Sequence, residues 1–124
     1  MDNKIKILIV DDNTVLLEML NESLVDNGYD VLCCNDGEMA QKKFSEFNPD
    51  IVLTDIVMPG VDGIELLLNL RKTHPDIKII AMSGGNRGHA ETYLHMAEKL
   101  GANVILIKPF EISELLEQIK TLEA

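Results

Sequence analysis

The sequence predicts a doubly wound α/β fold, a parallel five-stranded sheet covered by helices on both faces, as one domain over residues 1–124. Two observations carry this. Five short runs of apolar, branched residues alternate with segments of helical periodicity, and the clearest of those runs are apolar without alternation, as strands buried on both faces are.

The first strand is expected at Ile5 to Val10, where Ile7-Leu8-Ile9-Val10 contains no polar residue. Leu16, Leu17, Leu20 and Leu24 then fall on one helical face, and Gly28 is a natural stop. Tyr29 to Cys34 reads as the second strand. Asp36 can cap a second helix that turns Ala40, Phe44 and Phe47 inward and ends before Asn48-Pro49. After a third strand, Ile51 to Thr54, a helical stripe of Ile64, Leu67, Leu68 and Arg71 is closed by Pro75. Ile77 to Met82 gives the fourth strand, and Tyr93, Met96, Ala97 and Leu100 give a fourth helix ending at Gly101. Asn103 to Ile107 is the fifth strand, with Ile112, Leu115, Leu116, Ile119 and Leu122 on the last helix. No internal repeat or linker interrupts this (βα)₅ order. In such folds ligands bind beyond the carboxyl ends of the strands.

Composition narrows the function. A formal net charge of −10 argues against direct nucleic-acid binding, which needs Lys and Arg to neutralise phosphates, and favours a protein or cation partner. No apolar run is long enough for a membrane span, and Lys4 and Lys6 break any signal-peptide pattern, so a cytoplasmic location is expected. Cys33 and Cys34 are adjacent and would face opposite sides of a strand, which reads as packing in a reducing compartment rather than a zinc site. His74, His89 and His95 share no helix face and read as solvated.

The strand ends are the informative part. They place Asp11 and Asp12, Asp55, Ser83, and Lys108 with Pro109 at one edge of the sheet. Turns and caps explain any one of these residues alone, but not three carboxylates, a hydroxyl and an ammonium together. Crowded carboxylates repel unless a cation compensates, and an all-oxygen, partly hydrated position suits Mg²⁺.

Four stretches carry a resemblance to a known family: Ile9-Val10-Asp11-Asp12-Asn13, Leu53 to Gly63, Met82-Ser83-Gly84-Gly85, and Ile107-Lys108-Pro109-Phe110. In this order, over essentially the whole chain, they resemble the receiver domain of bacterial response regulators. The resemblance implies a flavodoxin-like sheet of order 2-1-3-4-5. It implies that Asp55 accepts a phosphoryl group from a phosphohistidine on a sensor histidine kinase or histidine phosphotransfer protein. The chain then takes part in its own phosphorylation rather than acting as an enzyme on an outside substrate. Asp11, Asp12, Asp55 and the backbone carbonyl of Val57 would hold Mg²⁺, Lys108 would pair with the phosphoryl oxygens, and Ser83 would hydrogen-bond to one of them. The Lys108-Pro109 bond is expected to be cis, and Gly60 and Gly63 to serve turns in which a side chain would restrict φ.

Signalling in that family runs from the Ser83 hydroxyl to an aromatic residue on the fifth strand and remodels the fourth helix, fifth strand and fifth helix. Here the matching position is Ile105, which cannot reproduce an aromatic swing, so the loop and backbone are expected to carry more of the switch. Val57 and Gly85 offer no side chain to orient an attacking water, and slow loss of the phosphoryl group is expected. The downstream protein or output domain, and any phosphorylation-dependent homodimer, stay open. Two other readings are weaker: a haloacid-dehalogenase-type phosphatase needs a DxD spacing that Asp11-Asp12-Asn13 lacks, and a non-phosphorylated interaction module would normally have lost an acid or the lysine.

Overall fold

A computed structural model describes residues 4–56, 63–84 and 90–123. The elements run β1 (Lys6–Val10), α1 (Thr14–Asp26), β2 (Asp30–Cys34), α2 (Gly37–Phe47), β3 (Ile51–Asp55), α3 (Gly63–Thr73), β4 (Lys78–Gly84), α4 (Ala90–Lys99), β5 (Val104–Lys108) and α5 (Ile112–Glu123). All strand pairs are parallel, in the order β2-β1-β3-β4-β5.

The sheet divides the core into two layers, because successive side chains on a strand point to opposite faces. Leu8, Val10, Val52, Ile79 and Ala81 face α2, α3 and α4, where Ala40, Phe44, Leu66, Leu67, Leu70 and Ala97 complete one cluster. Ile7, Ile9, Leu53, Ile80, Met82 and Leu106 face α1 and α5, packing on Leu17, Leu20, Leu24, Leu115 and Ile119. Cys34 belongs to the first cluster and Cys33 lies against the second, each as a packing residue on its own face. Burial pushes the Cys34 thiol up to about 11, aided by Cys33 and Asp36.

Helix ends follow their local chemistry. Asn13 Oδ1 accepts from the Leu16 amide at 3.1 Å to begin α1, and Asp36 Oδ1 accepts from the Met39 amide at 2.7 Å to begin α2. Gly28 follows α1 with φ +92°, and Gly101 follows α4 with φ +114°.

Two helical faces differ from the periodicity reading. On α3 the buried residues are Leu66, Leu67 and Leu70, while Leu68 is 46% exposed. Three leucines in a row fit two overlapping stripes, and only the position of the sheet selects one. On α4 Met96 is exposed and Ala97 fully buried, so the stripe is narrower than expected; the side chain of Tyr93 lies outside the described residues. Gly63 is needed for a different reason from the expected φ freedom: a Cβ there would stand 1.9 Å from the Asp55 carbonyl oxygen and 2.3 Å from Ile56 Cα. The start of α3 therefore presses directly on the backbone of the residue at the end of β3.

Candidate functional site

Three strand ends set the site. Asp11 follows β1, and its amide donates to the Cys34 carbonyl at 3.1 Å, which extends the β1–β2 ladder by one residue and fixes the side chain at the sheet edge. Asp55 closes β3 in register with Met82, and the following Ile56 amide donates to the Met82 carbonyl at 3.0 Å. Lys108 closes β5 opposite Gly84, one position from the pair formed by Ser83 and Ile107. Asp55, Ser83 and Lys108 thus lie within the last residues of strands, held by ladder hydrogen bonds, rather than in loops beyond them.

The three carboxylates of Asp11, Asp12 and Asp55 bring one oxygen each within 4.8 Å of one another. Asp11 is fully buried, Asp55 nearly so, and Asp12 exposed. The Lys108 ammonium donates to Asp11 Oδ2 at 2.6 Å and to Asp55 Oδ2 at 3.0 Å. Asp11 also accepts from the Asn13 amide at 2.9 Å.

Electrostatics follow from that packing. Burial raises the Asp11 carboxyl above its ordinary range, and the Lys108 and Asn13 hydrogen bonds only partly oppose it. For Lys108, burial alone would lower the ammonium, but the hydrogen bond to Asp11 and the charges of Asp55 and Asp11 outweigh it and hold the lysine protonated. Three carboxylates against this ammonium leave two negative charges concentrated at one spot, a hard, all-oxygen environment with an exposed member. That donor set fits Mg²⁺ and offers no nitrogen or sulfur for zinc.

Ser83 is 1% exposed and its hydroxyl oxygen has no hydrogen-bond partner among the described residues. A buried hydroxyl left this way is costly, on the order of 1–3 kcal/mol. The Lys108-Pro109 peptide is cis. Ile105, in register with Ala81, is partly buried against the cluster under α2, α3 and α4. Val57, Gly60 and Gly85 lie outside the described residues, as does His89; His74 and His95 are exposed, with the His74 ring tilted at 46° against Phe44, centroids 4.3 Å apart.

The receiver-domain family model, described as the response regulator receiver domain, matches residues 7–120. The chain belongs to the response regulator receiver domain family. Among solved structures it resembles NtrX from Brucella abortus, solved in complex with ADP, at 28% identity with a TM-score of 0.88; the match covers 96% of this chain and 27% of NtrX. This receiver therefore spans about a quarter of that longer chain. A CheY-like receiver domain protein from Methanospirillum hungatei is 30% identical with a TM-score of 0.87, covering 98% of this chain and 95% of that one. TrrA from Thermotoga maritima, solved in complex with Mg²⁺ and BeF, is 36% identical with a TM-score of 0.83, covering 95% and 98%.

Sequence reasoning missed two groups, one at the opposite edge of the sheet and one beside the site. Arg71 reads from periodicity as one more position on the α3 stripe, yet its guanidinium leaves the helix and clamps two turns. Its place in the last turn of a helix, where cations meet free carbonyls, is the signal that was available. The second group is the apolar wall beside the acids, made by Leu16, Met19, Phe110 and Ile112. Because it joins residues nearly a hundred positions apart, no local pattern announces it.

Proposed function

We propose that this receiver accepts a phosphoryl group on Asp55 from a phosphohistidine of a partner kinase or phosphotransfer protein, in a reaction that requires Mg²⁺. The observation that carries the reading is the joint placement of Asp55 with Asp11, Asp12 and Lys108: a nucleophilic carboxylate beside a cation site and a fixed ammonium. The complex of TrrA with Mg²⁺ and BeF supports the same reading for a relative.

Asp11, Asp12 and Asp55 would hold the metal, with the Val57 carbonyl as a further oxygen. When bound, Mg²⁺ supplies charge neutralisation at the phosphoryl oxygens. The chain's own residues do the rest. Asp55 presents an oxygen for in-line attack, fixed by its strand and by the close approach of Gly63. Lys108, already 3.0 Å from Asp55, moves its hydrogen bond from carboxylate to phosphoryl oxygen without leaving the site. Ser83 brings a buried hydroxyl whose missing partner a phosphoryl oxygen would supply, which gives the modified state a hydrogen bond the free state lacks. The response spreads to α4, β5 and α5, with Ile105 packing as an aliphatic residue and the backbone after β4 carrying the movement.

Intact mass after incubation with acetyl phosphate tests this. One added phosphoryl group in wild type with Mg²⁺, and none with EDTA or in Asp55→Asn, is expected. Equal labelling of Asp55→Asn would remove Asp55 as acceptor, and no labelling in any condition would favour a receiver fold used only for binding.

A further inference from the structure

Thr54, the residue before Asp55, is fully buried and points away from the acidic site. It stands in register with Val10 and Ala81, and strand alternation puts its side chain with Val52 and Ile56 in the apolar layer facing α2, α3 and α4. The Asp55 side chain leaves the strand on the opposite side. A hydroxyl among such carbon surfaces is unfavourable unless it is hydrogen-bonded, and Val would fill the same shape without that demand. Here Thr54 Oγ1 donates to the Asp55 carbonyl at 2.8 Å. A β-branched side chain has few rotamers, so this oxygen is held in place.

The bond acts on one particular peptide unit. The Asp55 carbonyl and the Ile56 amide share a plane, and the Ile56 amide donates to the Met82 carbonyl at 3.0 Å. Gly63 lies so close to the same carbonyl that a Cβ would stand 1.9 Å from its oxygen. The plane is thus gripped at both polar ends, at the point where β3 stops. The Asp55 carboxyl group is itself restrained by Lys108 at Oδ2, so the freedom left to the nucleophile is that of the backbone carrying it.

We propose that Thr54 is a positioning residue for Asp55: from the far side of the sheet its hydroxyl locks the Asp55–Ile56 peptide plane, and so aims the Asp55 carboxylate at the metal and the incoming phosphorus. The inference rests on the acceptor role proposed for Asp55. In-line attack tolerates little angular error, because a misaligned nucleophile loses the advantage of being held at the reacting distance. Loosening the plane therefore costs more in rate than in stability. Thr54 acts only through that peptide, since its own side chain faces the apolar layer.

Two pairs of chains isolate the hydroxyl. Wild type and Thr54→Val differ by a hydroxyl against a methyl of the same shape, and Thr54→Ser and Thr54→Ala differ by the hydroxyl alone. The initial rate of labelling by acetyl phosphate with saturating Mg²⁺, read by intact mass, is expected to fall about fivefold from wild type to Thr54→Val, and by the same factor from Thr54→Ser to Thr54→Ala. Melting temperatures should rank differently. Thr54→Val stays close to wild type, whereas Thr54→Ser melts lower because it leaves the space of a methyl in a packed layer. The signature is a Thr54→Ser chain that is less stable than Thr54→Val and yet labels faster. Mg²⁺ affinity, read by titrating the full ¹⁵N-labelled chains, should be about threefold weaker in Thr54→Val and Thr54→Ala than in their hydroxyl-bearing partners. Rates that simply follow melting temperature, or wild-type rate and Mg²⁺ affinity in Thr54→Val, would overturn the positioning role. Should Thr54→Val not fold, the Ser and Ala pair carries the same comparison. Failure of wild type to label at all would instead count against the acceptor role of Asp55, while the Mg²⁺ titration still decides whether the hydroxyl aims the carboxylate.

Discussion

Replacing Arg71 by Ala removes a guanidinium that holds three segments at once. Its Nε and Nη2 donate to the Gly101 carbonyl at 2.9 and 2.7 Å, Nη1 to the Pro75 and Ile77 carbonyls at 3.2 and 2.5 Å, and Nη2 to Asn103 Oδ1 at 2.7 Å. Asn103 Oδ1 in turn accepts from the Ile79 amide at 2.8 Å, so the end of α3, the start of β4 and the turn into β5 form one network. Hydrogen bonds from charged donors are worth about 1.5–3 kcal/mol each, but these share acceptors and part of the site is wet, so they do not add. Losing the whole set should cost about 2–3 kcal/mol. For a domain of this size that lowers Tm by roughly 10 °C. Arg71→Lys keeps the charge but not the planar fork, and should recover less than half. Urea denaturation followed by far-ultraviolet circular dichroism measures both, with a lower midpoint and an unchanged slope expected. A loss below about 0.5 kcal/mol for Arg71→Ala would show that water replaces the clamp, and the reasoning would fail.

Four more expectations follow from the site and its supports. Gly63→Ala should destabilise the fold by about 3 kcal/mol and lower the rate of Asp55 labelling, since its Cβ would meet the Asp55 carbonyl at 1.9 Å; wild-type labelling and melting would contradict that contact. Tyr29, buried and donating to Glu123 at 2.7 Å, is pushed up to about 12, first by burial and then by the Glu123 carboxylate. A raised folded pKa means the folded state keeps a proton that the unfolded chain loses. Stability is therefore intact below about pH 10 and falls between about 10 and 12, by on the order of 2 kcal/mol; Tyr29→Phe should flatten that part of the pH–stability curve, and an unchanged curve would refute it. Lys108→Met leaves the buried Asp11 beside Asp55 without its ammonium and should cost about 2–3 kcal/mol in a urea melt, moderated because Asp11 can take up a proton. Mg²⁺ at a hundredfold excess over its Kd should add about 2.7 kcal/mol to wild type, and Asp12→Ala should reduce that gain; melting curves insensitive to Mg²⁺ would argue against the metal site.

Much of the architecture was legible because local chemistry and tertiary demand agree in this chain. Unbroken apolar runs such as Ile7 to Val10 have no wet face to offer, so they require a sheet covered on both sides. Asp36, Gly28 and Gly101 punctuate helices through contacts within a few residues, which is why those ends can be read without a partner element. The candidate acids and Lys108 were legible for a topological reason: parallel strands joined by right-handed crossovers bring every carboxyl end to one edge.

What the order of residues left undecided depends on distances between segments far apart in the chain. Helical periodicity could not choose a stripe where Leu66, Leu67 and Leu68 stand together, and the sheet's position chose Leu66, Leu67 and Leu70 for the core. Gly63 looked like a turn glycine, but the tight approach of α3 to Asp55 is what excludes a side chain. Arg71 looked like a stripe residue until the turn holding Gly101 and Asn103 came within reach. The sequence by itself determined which side chains could do chemistry and at which edge they would meet. Only the tertiary structure decided which of them touch, which are dry, and what wall stands beside them, because hydrogen bonding and desolvation act over a few ångströms that strand order alone does not specify.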